Sequence, residues 1–229
     1  MTGSSRPVAV ILGAGIGGTA VAQALAPDWF LVIVDRDESL ARPLADSVGG
    51  EWAVVDLLDI DAVIRFRDQL LATHGRVDAV IHLVGGWKGS ASVDRDALAA
   101  WDAISPGVFG TVRTTTVAFR ESLERSPAGR YVMVSSTSAA KPTAGNVAYA
   151  TAKAAAETWV LGLAHAFRPG PARALIVTVK ALVNEAMRAA DPTNAFAGYT
   201  DTADLGDAIA GTLEDAGPAN GSRVDLTEA

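Results

Sequence analysis

The sequence predicts an α/β fold with a doubly wound parallel sheet, and two features of its pattern support this. Short apolar runs rich in β-branched residues alternate with longer segments of helical period. The apolar runs are continuous, as expected for strands that helices cover on both faces. The chain has 229 residues, enough for one large α/β domain with a sizeable core. We therefore expect a single domain over residues 1–229.

The strands and helices are predicted in order along the chain. The predicted strands are residues 8–12, 30–35, 51–56, 77–84, 130–136 and 174–179. The predicted helices include residues 19–26, 61–75, 97–104, 112–125 and 148–167. Residues 188–202 mix Ala, Pro, Asn, Gly and Asp without a clear period, which predicts a loop or short helices near the site. Residues 219–229 are expected to supply a final short strand and a tail.

Composition and charge argue against nucleic acids, membranes and metal ions as partners of this chain. The net charge is −7 and the basic residues are scattered singly, which argues against nucleic-acid binding. No apolar run approaches the roughly 20 residues that span a bilayer, so we expect no membrane segment. The N-terminal stretch lacks the layout of a secretory signal, and the chain has no cysteine, which together favour a cytoplasmic protein. His74, His82 and His165 lack metal-ligand spacing, so no metal site is predicted.

A glycine-rich loop follows the first predicted strand. Gly13, Gly15 and Gly18 form the pattern G-x-G-x-x-G, and Ile16 lies at the start of the next helical segment. The first glycine permits a tight turn, the second leaves room for a pyrophosphate, and the third lets helix and strand pack closely. The phosphates of a dinucleotide would then lie at the positive end of the helix. This pattern predicts a cofactor-binding Rossmann-type domain.

The residues that end the second strand bear on the choice of cofactor. Asp35 lies 17 residues after Gly18, where a carboxylate can accept hydrogen bonds from an adenosine ribose diol. The same carboxylate would repel a 2′-phosphate, which favours NAD. Arg36 is the competing signal, because its guanidinium could pair with that phosphate in NADP. The sequence therefore favours NAD over NADP and leaves NADP open.

The segment YATAK, residues 149–153, carries a second chemical signal. Tyr149 and Lys153 are four residues apart on a predicted helix, so their side chains share one face. An ammonium within reach of a phenol favours the phenolate, and we expect it to lower the tyrosine pKa. The phenol would then serve as a general acid and base near neutral pH.

The glycine loop, the strand-end Asp35, LVGG (83–86), SSTS (135–138) and YATAK together resemble the short-chain dehydrogenase/reductase superfamily across nearly the whole chain. Ser136 lies 13 residues before Tyr149, the usual spacing in that family between its catalytic serine and tyrosine. The resemblance implies an enzyme that interconverts a carbonyl and an alcohol on a small, partly apolar substrate. It also implies a homodimer or homotetramer, in which Ala-rich helices such as 148–167 pair across a two-fold axis.

The same resemblance implies a role for each site residue. Tyr149 would exchange a proton with the substrate oxygen, Ser136 would hydrogen-bond that oxygen, and Lys153 would hold the nicotinamide ribose. The cofactor would further contact Asp56, Leu57, Val84, Gly85 and Gly86. The hydride chemistry would belong to the nicotinamide.

Three segments depart from the family pattern. The family's helix asparagine is missing, and Ser105, Pro106 and Gly107 occupy its approximate place, where the proline is expected to bend or end a helix turn. His82 precedes the LVGG segment, and two interpretations of it stay open: a structural residue, or a polar member of the proton relay. Lys180 stands where the family commonly has Pro-Gly. Two interpretations of it stay open: a cation that faces an anionic substrate, or a solvated loop residue.

Two alternative functions remain open from the sequence. Gly85, Gly86 and Trp87 resemble the dihydropteridine reductase branch, in which a tryptophan could stack on a pterin-like ring, although Trp87 could equally be buried core. The other alternative is a non-catalytic dinucleotide sensor, because the fold alone does not establish turnover. The intact Ser136, Tyr149 and Lys153 set favours the enzyme.

Overall fold

A computed structural model of the chain describes residues 6–227, so the predictions for the first five and the last two residues lie outside the described part. Its centre is a seven-stranded parallel sheet in the order β3-β2-β1-β4-β5-β6-β9. The main strands are β1 (Val8–Leu12), β2 (Phe30–Asp35), β3 (Glu51–Val54), β4 (Ala79–His82), β5 (Arg130–Ser136), β6 (Arg173–Val179) and β9 (Arg223–Asp225). The short strands β7 (Leu182–Val183) and β8 (Thr200–Asp201) pair separately. The predicted doubly wound α/β fold is confirmed.

Eight α-helices lie between the strands of the described chain. They are α1 (Ile16–Leu25), α2 (Glu38–Val48), α3 (Ile60–His74), α4 (Arg95–Ser105), α5 (Thr111–Arg125), α6 (Val147–Phe167), α7 (Glu185–Ala190) and α8 (Thr202–Leu213). The predicted strands and helices all occur, with ends that differ by a few residues. The segment predicted as a loop or short helices contains the end of α7 and an irregular stretch before β8.

The helices cover both faces of the sheet, which explains the continuous apolar strands. Buried side chains of α1, α2 and α8 pack on one face, and those of α3, α5 and α6 pack on the other. All five residues of β1 are fully buried because this strand lies near the middle of the sheet. None of the helices in residues 6–227 is long and apolar enough to cross a membrane.

The chain order of the strands creates a crevice at one edge of the sheet. The first three strands run outward from β1 in one direction, and β4, β5 and β6 continue in the other. The loops that leave β1 and β4 therefore diverge at their carboxyl ends. Ligands of open α/β sheets bind at such a switch point, and the predicted site residues lie there.

Candidate active site

The glycine loop has the backbone that its sequence predicts. Gly13 has a φ of 105°, a conformation that favours glycine. A Cβ at Gly18 would overlap the Gly13 carbonyl oxygen, so this glycine lets α1 pack against the loop. A Cβ at Gly15 would instead point into open space. The loop is thus tight on its inner side and leaves free volume beside Gly15, as a bound pyrophosphate requires.

The amino end of α1 is available to an anion. Gly15 is the N-cap and supplies no side-chain hydrogen bond, and the first turn has no acidic residue. The early N–H groups of a helix lack partners within it and carry partial positive charge. The cradle therefore fits the phosphates of a dinucleotide.

Asp35 connects the second strand to this loop. Its Oδ2 accepts a hydrogen bond of 2.8 Å from the Ala14 N–H, and its Oδ1 accepts one of 3.1 Å from the Asp37 N–H. A carboxylate oxygen has two lone pairs, so each can still accept a hydroxyl donor. Asp35 therefore shapes the glycine loop in addition to presenting a charge at the crevice. The sequence pattern did not indicate this second role.

Most of the predicted cofactor contacts line one groove of about 570 Å³. Those lining it are Gly13, Gly15, Asp35, Arg36, Asp56, Leu57, Val84 and Gly85. Five predicted contacts do not line the groove: Ile16, Gly18, Gly86, Tyr149 and Lys153. Its volume falls in the usual range for cofactor and small-molecule sites.

The Ser136, Tyr149 and Lys153 side chains come together beyond the carboxyl end of β5. Ser136 ends β5, and its Oγ accepts a hydrogen bond of 3.2 Å from the Ser138 N–H. That bond uses a lone pair of the hydroxyl, so its proton can be donated to the Tyr149 phenol oxygen. Tyr149 lies in the first turn of α6 and packs against a buried cluster of Ile104, Val108 and Ala152.

Lys153 is buried and connects this trio to the groove. Its Nζ donates a hydrogen bond of 2.8 Å to the Val134 carbonyl and lies 6.0 Å from the centroid of the Tyr149 ring. A Cβ at Gly85 would lie 3.8 Å from the same nitrogen. Burial lowers the pKa of Lys153 to about 8, and the Glu157 carboxylate partly opposes this shift. The ammonium is therefore placed between the tyrosine and the groove.

The expected lowering of the tyrosine pKa is wrong for the protein without ligands. Burial raises the pKa of Tyr149, and the hydrogen bond with the Ser136 side chain opposes that shift only in part. The physical reason is that the phenol is enclosed by apolar side chains, which disfavour the phenolate. The ammonium of Lys153 does not reverse this effect.

His82 and Thr111 form a buried pair that the sequence did not predict. His82 Nε2 and Thr111 Oγ1 are 2.9 Å apart, and the Thr111 hydroxyl donates to the Gly107 carbonyl over 2.8 Å. Which atom donates in the histidine pair is set by the tautomer of the imidazole. Burial and the nearby Lys153 charge lower the pKa of His82 to about 3, so the imidazole is neutral.

At the place of the missing asparagine, the regular helix α4 ends at Ser105, directly before Pro106, as the proline predicted. Residues Pro106–Gly110 form a π-helical turn that joins α4 to α5. Proline lacks the N–H that a regular helical turn would use, and the wider turn accommodates this loss. The Gly107 and Thr111 residues of this region line the groove.

Lys180 holds the irregular stretch before β8. Its Nζ donates a hydrogen bond of 2.7 Å to the Ala197 carbonyl and lies 5.7 Å from the centroid of the Tyr199 ring. The side chain therefore fastens this stretch rather than reaching into the groove. The sequence suggested a substrate-facing cation or a solvated loop residue, and neither role included this contact.

Glu157 is a further buried polar residue that the motifs did not reveal. Its Oε1 accepts a hydrogen bond of 2.6 Å from the Ser135 hydroxyl, and its Oε2 pairs with Arg223 at 3.0 Å. Glu157 lies four residues after Lys153, on the same face of α6. That spacing is the sequence signal that could have revealed it.

The described residues contain no arrangement suited to a metal ion. Among residues 6–227 no group of three or more His, Asp or Glu side chains is placed to hold one.

The chain is similar in sequence to a curated protein and in structure to two solved dehydrogenase-fold proteins. The chain is 30% identical over 152 residues to the probable oxidoreductase EphD of Mycobacterium tuberculosis, a match that covers 63% of this chain and 26% of EphD. The chain thus spans about a quarter of the length of that relative. The structure resembles NAD⁺-bound xylitol dehydrogenase, with a TM-score of 0.85, 18% identity, and 96% and 97% of the two chains covered. It resembles NADP-bound ElxO equally, with a TM-score of 0.85, 15% identity and the same coverage.

A family model described as short chain dehydrogenase matches residues 7–191. The matched region contains the glycine loop, Ser136, Tyr149 and Lys153, which are the features that carry the resemblance found in the sequence. The chain therefore belongs to the short chain dehydrogenase family.

Proposed function

We propose that the chain is an NAD-dependent oxidoreductase that interconverts a carbonyl and an alcohol on a small, partly apolar substrate. The observation that carries this proposal is the placement of the Ser136 hydroxyl, the Tyr149 phenol and the Lys153 ammonium beside the groove. Family membership and the nicotinamide cofactors named for both structural neighbours support it. The direct test is consumption of NADH by the full chain with small ketones and aldehydes.

Each side chain has a role that its surroundings allow. Tyr149 would donate a proton from its phenol to the substrate oxygen during reduction and take it back during oxidation. Its raised pKa keeps the phenol protonated and ready to donate near neutral pH. Ser136 would hydrogen-bond the same oxygen by turning towards it the hydroxyl proton that otherwise serves the Tyr149 phenol. A bound nicotinamide would supply or accept the hydride.

Lys153 would act on the cofactor side of the tyrosine. Its ammonium is fixed by the Val134 carbonyl and has further N–H donors for the hydroxyls of the nicotinamide ribose. The positive charge would also stabilise the phenolate that forms when Tyr149 gives up its proton. With its pKa near 8, Lys153 can itself exchange a proton close to neutral pH.

NAD is preferred over NADP in this proposal because of Asp35. Its carboxylate lines the groove at the end of β2, where it can accept the two ribose hydroxyls. Arg36 lines the same groove and is the residue through which NADP could compete.

Substitution of Asp35 tests the preference. We expect Asp35→Ala to weaken NADH binding far more than NADPH binding, because the ribose acceptor and the repulsion of a 2′-phosphate are lost together. Asp35→Asn is the shape-matched variant, since an amide oxygen can still accept the Ala14 N–H. Nucleotide fluorescence titrations at matched ionic strength measure both affinities. Tighter binding of NADPH than of NADH by the wild-type protein would contradict the preference and assign the choice to Arg36.

Reduction of a pterin-like ring is the second candidate function. Trp87 is not buried core, because its side chain is 70% exposed in the loop after β4. An exposed indole next to the Gly85 end of the groove can stack on a flat ring. Consumption of NADH with quinonoid pterins and not with ketones or aldehydes would favour this function.

We also propose that α5 and α6 form the interface of a homodimer. A largely apolar groove of about 820 Å³ runs between these helices. Val117 is 59% exposed and Trp159 is 41% exposed there, which is unusual for large apolar side chains. A monomer observed by sedimentation of the full chain would contradict this assembly.

A further inference from the structure

A cavity lies at the amino ends of strands β5 and β6, on the side of the sheet opposite the active-site groove, and it is lined by positively charged side chains. Its volume is about 490 Å³, and Arg130, Arg168 and Arg173 line it. Arg130 begins β5 and Arg173 begins β6, whereas Ser136 ends β5. Arg130 and Ser136 are six positions apart along β5, a distance of about 20 Å. The cavity is therefore separate from the cofactor groove.

Arg130 is a buried cation without a carboxylate partner in the described structure. Its side chain is 1% exposed, and its guanidinium donates only to the carbonyls of Gly129, Pro171 and Glu214, at 3.1, 3.4 and 3.4 Å. The two longer bonds are weak. Its Nε is buried and has no hydrogen-bond partner among the described residues.

The contrast with Arg76 shows what Arg130 lacks. Arg76 forms two hydrogen bonds with the Asp78 carboxylate, at 2.6 and 2.8 Å, and this contact raises the Arg76 pKa. The pKa of Arg130 is instead lowered, first by burial and then by the neighbouring Arg173 charge, and the Asp215 carboxylate opposes this shift only in part. A buried charge that is only partly compensated is costly, so an anion in the cavity would stabilise this part of the protein.

The other two arginines are arranged to complete such a site. Arg173 is held by the carbonyls of Gly217, Pro218 and Asp215 at 2.9, 3.1 and 3.0 Å, so its guanidinium is fixed without being neutralised. Arg168 is exposed at the end of α6 and forms no ion pair in the described structure. Asp215 is the one carboxylate among the described residues that line the cavity. Three guanidinium groups thus face one carboxylate.

We propose that this cavity binds a small phosphate-bearing molecule. Guanidinium groups form strong, paired hydrogen bonds with phosphate oxygens, and three of them match the three free oxygens of a phosphate monoester. The volume admits a small ester and excludes a large polyanion. The site involves no residue of the proposed oxidoreductase machinery, so its test is independent of that function.

The test measures binding of inorganic phosphate and of glycerol 3-phosphate to the full chain by calorimetry, with chloride at equal ionic strength as the reference. We expect both phosphates to bind, and Arg168→Gln to weaken binding about tenfold through loss of a charge-assisted hydrogen bond. Asp215→Asn should strengthen binding, because it removes a repelling charge. Both side chains are exposed, so neither variant threatens the fold.

Arg36→Gln is the matched control, because it removes an exposed arginine from the other edge of the sheet. It should leave phosphate binding unchanged. Loss of binding in Arg36→Gln with retention in Arg168→Gln would place the phosphate in the cofactor groove and overturn the proposal. Absence of binding above the chloride reference, or co-sedimentation with phosphatidic acid vesicles in place of binding to the soluble ester, would also overturn it.

Discussion

Replacing Tyr149 with phenylalanine is expected to lower kcat by about 10³-fold and to leave the affinity for NADH within about twofold of wild type. The phenol is the proton donor of the proposed reaction, and its ring packs against the buried cluster of Ile104, Val108 and Ala152 in a way that phenylalanine preserves. The glycine loop and Asp35, which would hold the adenosine half of the cofactor, are untouched. Steady-state kinetics and a fluorescence titration on the same sample separate the two effects.

Tyr199→Phe is the control for this substitution. Tyr199 carries a phenol on the stretch that Lys180 fastens, and we expect its loss to leave kcat nearly unchanged. Equal loss of activity in the two variants would argue against a specific role for Tyr149. A wild-type protein that binds NADH but turns over none of the carbonyl or pterin substrates would instead favour a non-catalytic dinucleotide sensor.

Replacing Lys153 with methionine is expected to separate activity from stability. Activity should fall by a factor of 10² or more, because the tyrosine loses the charge that stabilises its phenolate. The free energy of unfolding at neutral pH should rise by up to about 3 kcal/mol, because a buried ammonium is replaced by an apolar side chain. The Val134 carbonyl loses its donor, which offsets part of this gain.

The pH dependence of this stability difference has a definite sign. Lys153 has a folded-state pKa of about 8, below its ordinary value of 10.5. Between these values the unfolded chain binds more protons than the folded chain, so the wild-type protein gains stability as the pH rises. The advantage of Lys153→Met should therefore be full below pH 8 and vanish as the pH passes 10.5.

Chemical unfolding at several pH values measures this difference. Lys141→Met is the control, because Lys141 is exposed and its removal relieves no burial of charge. A stability difference that stays constant from neutral to alkaline pH would contradict a strained ammonium at position 153. Unchanged activity in Lys153→Met would contradict its role beside Tyr149.

The fold was predictable because its signals are periodic and local. Continuous apolar runs such as 8–12 and 30–35 reflect a sheet buried on both faces, and the glycine loop marks the turn between β1 and α1. Helices α2 and α8 were not predicted, because the first contains Pro43 and the second contains two glycines, which are unfavourable in helices. Their buried residues nevertheless recur at helical spacing, a signal that the prediction did not use.

The candidate site was predictable only where its residues belong to spaced motifs. Tyr149 and Lys153 stand out because their spacing places them on one helix face. The partners of these residues come from distant segments: Lys153 bonds the Val134 carbonyl, and His82 meets Thr111. The direction of the Tyr149 pKa shift depends on burial, and the four-residue spacing between Tyr149 and Lys153 gives no information about burial.

We propose that the groove beside Gly15, Asp35 and Gly85 holds a nicotinamide dinucleotide next to Tyr149 and Lys153. Titration of the full chain with NADH and with NADPH, followed by nucleotide fluorescence at matched ionic strength, tests this most directly. We predict saturable binding of NADH that is tighter than that of NADPH. If neither nucleotide binds, the glycine loop is only a structural turn in this chain and the proposed oxidoreductase function is wrong.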